Sequence, residues 1–243
     1  MRSLLSAFTL CVTLMASLNV HAQQDPEDIS TQWMWDLRAG MFIPDIDREF
    51  NGAAHPYQDI FGNQQKLTWR SELSWQFFRR FGTLALGADI GFFFRSGNAL
   101  MEDGSKSGDT TSLLLIPFGV KLVYRFDLLQ NNYNIPFTPY GKVGLVYNLW
   151  WITDGNGDIA TWNNTSKDKA RGATTGYEVA LGLSLLLDVF DAEAAASLQR
   201  DTGIDNSYVF VEWTYNRSEG ILGVGSTLQV GGRTWMFGLA FEF

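Results

Sequence analysis

The sequence is poor in the side chains from which most redox, thiol and metal sites are built. It contains one cysteine and two histidines among 243 residues. Cys11 and His21 both lie in an N-terminal stretch with a positive start, an apolar centre and a small residue, Ala22, at its end. That order is typical of an export signal. Its removal leaves His55 and no cysteine, which excludes disulfides, cysteine nucleophiles and thiolate metal sites.

The export signal divides the chain into three parts. We expect a cleaved signal over residues 1–22, a short periplasmic segment over residues 23–31 and one domain over residues 32–243. No cofactor is indicated.

Charge and long apolar runs are scarce as well. Charged residues make up 18% of the chain and the formal net charge is -8. An acidic chain excludes nucleic acid as a partner, because phosphate binding needs a basic surface. Beyond the N-terminus no run reaches the ~18 apolar residues of a membrane-spanning helix. The 46% of apolar residues must therefore be spread over short segments.

Those apolar residues alternate with small or polar ones in eight segments, and the alternation has the period of two that a β-strand requires. The segments cover residues 32–43, 66–78, 83–95, 113–125, 138–152, 179–185, 207–215 and 235–243.

The composition of the two faces favours a transmembrane barrel over a soluble sandwich. A sandwich would expose lysine, glutamate and threonine outside and bury its aliphatic face. Here the polar face is rich in glycine, alanine and serine, which suits a narrow interior, and the apolar face is aromatic near strand ends, as in lipid-facing strands. We therefore predict an all-β, eight-stranded antiparallel transmembrane β-barrel.

The connections between the segments alternate in character. Residues 44–65, 96–112, 153–175 and 216–227 form long polar connections, as expected of surface loops. Residues 79–82, 126–137 and 188–206 join the strands at the other end. The last of these contains an alanine-rich stretch, with Asp191 placed as an N-cap and Gly203 as a C-cap, which predicts a short periplasmic helix between strands 6 and 7. Its expected role is to plug or cover the lower rim, and partner binding is the alternative.

The last seven residues of the chain carry a family resemblance. Aromatic or apolar residues occupy every second position up to the end, at Phe237, Leu239, Phe241 and Phe243. This pattern resembles the C-terminal assembly signal of bacterial outer-membrane barrels. The whole mature chain is similar to small barrels of the OmpA or OmpX architecture. The resemblance implies the bacterial outer membrane and contact with the barrel-assembly machinery during biogenesis, and it implies no reaction.

Charged residues of both signs fall on the inward face. Eight strands enclose an interior just wide enough for side chains, so these charges must pair with each other. We expect an interior ion-pair network that seals the lumen and fixes strand register, formed by Asp36, Arg38, Arg70, Glu72, Asp89, Lys121, Lys142, Glu178 and Glu212. The alternative is a narrow transport barrel for ions or small hydrophobic molecules.

Catalytic and metal-binding patterns are weak. A lipid-modifying enzyme would need a serine, a histidine and an acid, and His55 stands alone in the first loop. The stretch from Asp154 to Asp158 superficially resembles a calcium loop. An EF-hand would require glycine where Ile159 stands and glutamate where Thr165 stands, so a turn is the simpler interpretation. We expect a protein that is not an enzyme and holds no metal.

Aromatic residues mark the two membrane interfaces. Tryptophans are expected in an interfacial girdle at Trp33, Trp75, Trp151, Trp213 and Trp235. Four further aromatic residues of the outer loops, available for adhesion or lipopolysaccharide contact, are Phe50, Tyr57, Phe61 and Trp162. The function expected from the sequence is structural or interactive, with outer-membrane lipid, lipopolysaccharide and a surface or periplasmic protein as partners.

Overall fold

The structure, a computed structural model, describes residues 32–101, 104–161, 169–220 and 228–243. The predicted export signal and Trp162 lie outside these residues. Within them, no helix combines the length and the apolarity needed to cross a membrane.

Eight strands form a closed antiparallel barrel in which each strand pairs with the next and the last pairs with the first, as predicted. The strands are β1 (Trp33–Phe42), β2 (Lys66–Phe78), β3 (Thr83–Leu100), β4 (Lys106–Arg125), β5 (Phe137–Thr153), β6 (Arg171–Leu186), β7 (Asn206–Ser218) and β8 (Gly232–Glu242). Closure continues to the C-terminal residue, because Phe243 and Trp33 exchange two backbone hydrogen bonds of 3.0 Å.

The barrel has two distinct ends. We call the end at which β1, β3, β5 and β7 finish the loop end. The opposite, terminal end carries Trp33, Phe243 and the three connections that follow β2, β4 and β6.

The second connection at the loop end differs from its prediction. Residues 96–112 are not a long loop, because β3 continues to Leu100 and β4 already begins at Lys106. Ser96 pairs with Ser112 beyond Phe93, the last residue of β3 that pairs with β2. Asn98 pairs with Thr110 beyond the last residues that pair with β2 and β5. We call this extension the β3–β4 ribbon. Polar residues suit it because it extends beyond the ends of β2 and β5, so neither of its faces packs against the barrel. The polarity was wrongly interpreted as the absence of a strand.

Within the part of the chain that the structure describes, three helices and one 3₁₀ turn lie in the connections. The 3₁₀ turn (Ile46–Phe50) and helix α1 (Pro56–Phe61) belong to the loop between β1 and β2. Helices α2 (Leu128–Tyr133) and α3 (Ala192–Thr202) lie at the terminal end. The sequence predicted α3 alone.

Helix α3 begins and ends as predicted. The Asp191 carboxylate accepts a 2.9 Å hydrogen bond from the backbone N–H of Ala194, and Gly203 ends the helix at a φ of 75°. No residue of α3 is buried. Helix α3 therefore does not plug the lower rim with buried side chains, because its alanines offer little apolar area with which to pack into the barrel. A role in covering the rim stays a prediction.

Candidate functional site: a charged lumen beneath a folded loop

The strand register places like charges side by side in the lumen. Asp36 of β1 pairs with Glu72 of β2, and Glu72 in turn pairs with Asp89 of β3. One step toward the loop end, Arg38 pairs with Arg70. Asp36, Glu72 and Asp89 thus form an acidic row, and Arg38 and Arg70 form a basic row next to it on the side of the loop end. Neighbours within a row repel each other, whereas residues of different rows attract each other diagonally.

Arg38 is the most connected cation. Its guanidinium lies 3.1 Å from Asp36 and 2.9 Å from Glu72, with Glu212 and Asp89 at 3.6 and 3.7 Å. The side chain is completely buried. A buried guanidinium is tolerated only where carboxylates compensate its charge and use its donors, and Arg38 has four of them in reach.

Two lysines and a second arginine link the remaining carboxylates. Lys142 lies 3.0 Å from Glu72, 3.2 Å from Asp36 and 3.3 Å from Glu212. The other contacts are Arg70 with Asp89 at 2.6 Å, Lys121 with Asp89 at 3.2 Å, and both cations with Glu178. All nine residues that the sequence singled out are thereby brought into one buried cluster, which we call the lumen network.

Neutral side chains complete the lumen network. Tyr140 and Thr214 each donate a 3.1 Å hydrogen bond to Glu212, and Ser74 donates one of 3.1 Å to Glu72. These three residues were not among those predicted from the sequence. Alternation along the strands does place all three on the inward face, and this pattern could have identified them.

A second, smaller ion pair lies nearer the terminal end. Arg125 is 3.0 Å from Glu242, which also accepts 2.8 Å hydrogen bonds from Gln76 and Tyr208. The Arg125 guanidinium stacks 4.6 Å above the Tyr208 ring. This cluster narrows the lumen below the lumen network.

The loop end of the lumen is closed by the connection between β1 and β2. Its buried residues pack with inward-facing apolar residues of the barrel wall into one cluster, formed by Ile46, Tyr57, Phe61, Phe93, Leu113, Leu115, Trp150 and Val230. We call the 3₁₀ turn and α1 together the plug. Tyr57 and Phe61 were expected to be available at the surface, and this is wrong, because the apolar ends of the facing strands draw them into the barrel.

Polar contacts hold the plug at both ends of α1. The Asp47 carboxylate accepts hydrogen bonds of 2.6 and 3.0 Å from the backbone N–H groups of Tyr57 and Gln58. At the other end, the Arg95 Nε donates a 2.9 Å hydrogen bond to the carbonyl of Phe61. Burial raises the pKa of the Tyr57 phenol to about 12, because the phenolate is poorly solvated there.

Little space remains inside the barrel. A cavity of about 40 Å³ lies between the plug and the lumen network, next to Arg70 and Glu178. A cavity of about 20 Å³ lies on the other side, next to Asp36 and Lys142. Each is large enough for water molecules only.

The predicted girdle residues lie on the outward face at the two ends. Trp33 pairs with Trp75 near the terminal end, and Trp213 pairs with Trp235 near the loop end. Trp151 lies close to the loop end of β5. Of the predicted assembly signal, Phe237, Leu239 and Phe241 lie on the outward face of β8, and Phe241 stacks on Trp35 with ring centroids 5.9 Å apart.

The described residues provide no metal site built from three or more histidine, cysteine or carboxylate side chains. The Asp154 carboxylate accepts hydrogen bonds of 3.0 and 3.1 Å from the backbone of Asn156 and Asp158, as in a turn. His55 is an exposed residue that immediately precedes α1. Thr165 lies outside the described residues.

Comparisons with known proteins find similar solved structures and no sequence relative. No family model and no curated protein matches the chain. Among solved structures, the chain is similar to the attachment invasion locus protein Ail of Yersinia pestis in complex with the heparin analogue sucrose octasulfate, at 10% identity and a TM-score of 0.37. It is also similar to the outer membrane protein OprG of Pseudomonas aeruginosa, at 15% identity and a TM-score of 0.44. Each match covers 88% of this chain and 97% of the other.

Proposed function

We propose that the protein is a non-enzymatic outer-membrane barrel with a closed lumen, and that it acts through the surface of its loop end. The role is structural or adhesive within the cell envelope. The barrel spans the membrane with its loop end outside and its terminal end in the periplasm.

The outward face supports the membrane location. Large apolar side chains are exposed on all eight strands or at their ends, among them Leu67, Ile90, Val120, Leu145, Leu181 and Phe237. The charged side chains in the middle of the strands are instead buried inside, as in Arg38, Glu72 and Lys121. A soluble protein rarely exposes an apolar surface of this extent, and a lipid bilayer solvates it.

The main support for a closed lumen is the position of the lumen network beneath the plug. A conducting path would have to pass the buried contacts of Arg38 with Glu72 and then the apolar packing of Tyr57 and Phe61. The small cavities on either side of the network do not provide such a path. Eight strands leave room for side chains and little else.

The observation that favours the loop end as an interaction surface is its defined shape. The β3–β4 ribbon presents exposed polar residues such as Asn98, Asp109 and Thr110. Gly97 at its base lies so close to the Ile60 carbonyl of the plug that a Cβ atom there would overlap that oxygen. Ribbon and plug therefore support each other, and a preorganised surface loses less entropy when it binds a partner.

The test combines conductance and binding. The refolded mature barrel, shown to be folded by heat-modifiable gel mobility, should give no single-channel openings in planar lipid bilayers. Replacement of residues 98–110 by a two-residue turn should leave that mobility shift intact and abolish binding of the barrel to cultured cells and to lipopolysaccharide-coated surfaces. Regular openings of the unmodified barrel would instead establish the narrow transport barrel.

A further inference from the structure

The outward face near the loop end contains a groove where β7, β8 and β1 meet. Its volume is about 280 Å³, much larger than either cavity in the lumen. Its walls are apolar or aromatic, formed by Met41, Trp213, Trp235 and Phe237. Arg233 and Gln65 lie at its rim.

The groove has a structural origin in the pairing of β1 with β8. Ala39 stands directly opposite Phe237, so that ring has no large partner across the strand pair, while the groove itself is lined on the β1 side by Gly40 and Met41. Phe237 and Trp235 are 64% and 60% exposed, among the highest values for apolar residues of the strands. Two protruding rings beside a small residue leave a depression that runs along the barrel wall.

The order of residues on β8 makes the groove amphipathic. Arg233 comes first at the loop end, and Trp235 and Phe237 follow in the direction of the membrane interior. Four residues of a strand span about 13 Å, so the cation lies at the interface while Phe237 lies within the apolar layer. A ligand that fits has a negative head and an apolar tail oriented like the surrounding lipid.

Arg233 keeps its charge available for such a head group. Its guanidinium lies 5.5 Å from the centre of the Tyr215 ring, and no carboxylate of the described residues forms an ion pair with it. Asp45 is close enough for the Arg233 charge to act on it, but the ion pair of Asp45 is with Arg48, at 3.8 Å. By contrast Arg217, also at the loop end of β7, is neutralised by two contacts with Glu219, of 2.7 and 3.0 Å.

We propose that the groove bounded by Met41, Trp235 and Phe237 is a binding site for a phosphorylated lipid of the outer leaflet, with one acyl chain along the aromatic walls and a phosphate on Arg233. The site rests on the membrane location proposed above. Phosphate and guanidinium form charge-assisted hydrogen bonds of matched geometry. Trp213, Trp235 and Tyr215 are amphipathic side chains of the kind that suit the membrane interface.

The experiment measures retention of a bis-phosphorylated lipid A by native mass spectrometry of the detergent-solubilised, folded barrel. We expect Arg233→Gln to reduce the lipid-bound fraction about fivefold, the effect of one basic residue at an anionic membrane surface. Retention of a dephosphorylated lipid A should be weaker and unaffected by this change. Arg171→Gln is the matched control, because Arg171 is an exposed arginine at the loop end of β6 and does not line the groove.

Each other result overturns the site. Equal retention by the parent barrel and Arg233→Gln, or an equal loss in Arg171→Gln, would show that the phosphate has no preferred position. A dimer of the barrel in place of the lipid complex would assign the groove to a second copy of the chain. Insertion into vesicles is checked first by heat-modifiable mobility. A chain that does not insert refutes the membrane barrel, whereas an inserted barrel without Arg233-dependent retention refutes the groove alone.

Discussion

Arg38 and Arg70 are direct partners in the pairing of β1 with β2, so two guanidinium groups lie side by side in the middle of the lumen. Each is compensated by a carboxylate in the next row, at 2.9 Å between Arg38 and Glu72 and at 2.6 Å between Arg70 and Asp89. A shift of one residue in the register would turn these side chains toward the lipid. The lumen network therefore opposes register slippage as well as closing the lumen.

The dependence of the barrel on Arg38 can be measured directly. Arg38→Met retains most of the side-chain volume and removes the positive charge. The four carboxylates that contact Arg38 are then compensated by fewer cations. Breaking one side of a buried ion pair typically costs about 3–5 kcal/mol, and we expect a loss of this size. The measurement is urea unfolding of the barrel in lipid vesicles, followed by gel mobility.

The matched control for Arg38 is Arg48→Met. Arg48 also pairs with a carboxylate, Asp45, but the Arg48 side chain is 53% exposed. An exposed pair contributes about 1 kcal/mol or less. Equal stability losses in the two variants would refute the central position of Arg38.

The plug should open independently of the barrel. Phe61→Ala removes a buried ring from the plug while the strand pairing stays intact. The loss of a buried phenylalanine costs about 3–5 kcal/mol, so amide hydrogen exchange in α1 should accelerate by about a hundredfold to a few thousandfold, with unchanged exchange in β5. Phe50→Ala, which removes a 40% exposed ring from the same connection, should have little effect. Parallel acceleration in α1 and β5 would show that plug and barrel open together.

The sequence predicted which side chains enter the lumen, because a period of two assigns every strand residue to a face. It did not predict the positions of these side chains along the barrel axis. The pairing of Asp36 with Glu72, and of Glu72 with Asp89, depends on the tilt and stagger of closed strands. Alternation within single strands contains no information about that stagger.

The plug was missed because Tyr57 and Phe61 lie in a polar connection with no alternation. One signal was present in the strands themselves. The inward face changes from polar to apolar toward the loop end, at Phe93, Leu115 and Trp150. An apolar inward face at the mouth of a barrel requires something to cover it, and the first connection is the longest at that end.

The plug should weaken in alkali through Tyr57. Below pH 10, the ordinary pKa of tyrosine, the phenol is protonated whether the plug is closed or open, so Tyr57 adds no pH dependence. Between pH 10 and about 12, the open form loses the proton first and opening becomes more favourable. Among the described residues the phenol has no hydrogen-bond partner, so Tyr57→Phe should preserve the closed plug and remove this dependence.

The measurement for Tyr57 is the ultraviolet absorbance of tyrosinate as a function of pH. The difference between the parent barrel and Tyr57→Phe should titrate near pH 12. Tyr133→Phe removes a tyrosine that is 71% exposed and should leave the Tyr57 titration in place. A difference curve centred near pH 10 would mean that Tyr57 is solvated and the plug is open.

Gly144 should be required for the lumen network although it carries no side chain. It pairs with Lys121 on one side and with Glu178 on the other, so that their ion pair passes over it. A Cβ atom at this position would overlap the carbonyl oxygen of Val120 and lie 2.7 Å from the Cα and Cγ atoms of Lys121.

Gly144→Ala therefore forces β4 and β5 apart or displaces Lys121 from Glu178. Overpacking of this kind costs about 1–3 kcal/mol, and we expect a loss in that range in urea unfolding. Gly108→Ala is the control, because no heavy atom would lie within 4 Å of its Cβ, and a surface change of this type stays within about 0.5 kcal/mol. An unchanged Gly144→Ala barrel would mean that Lys121 and Glu178 are not held across the strand, and the lumen would then have room for a water path.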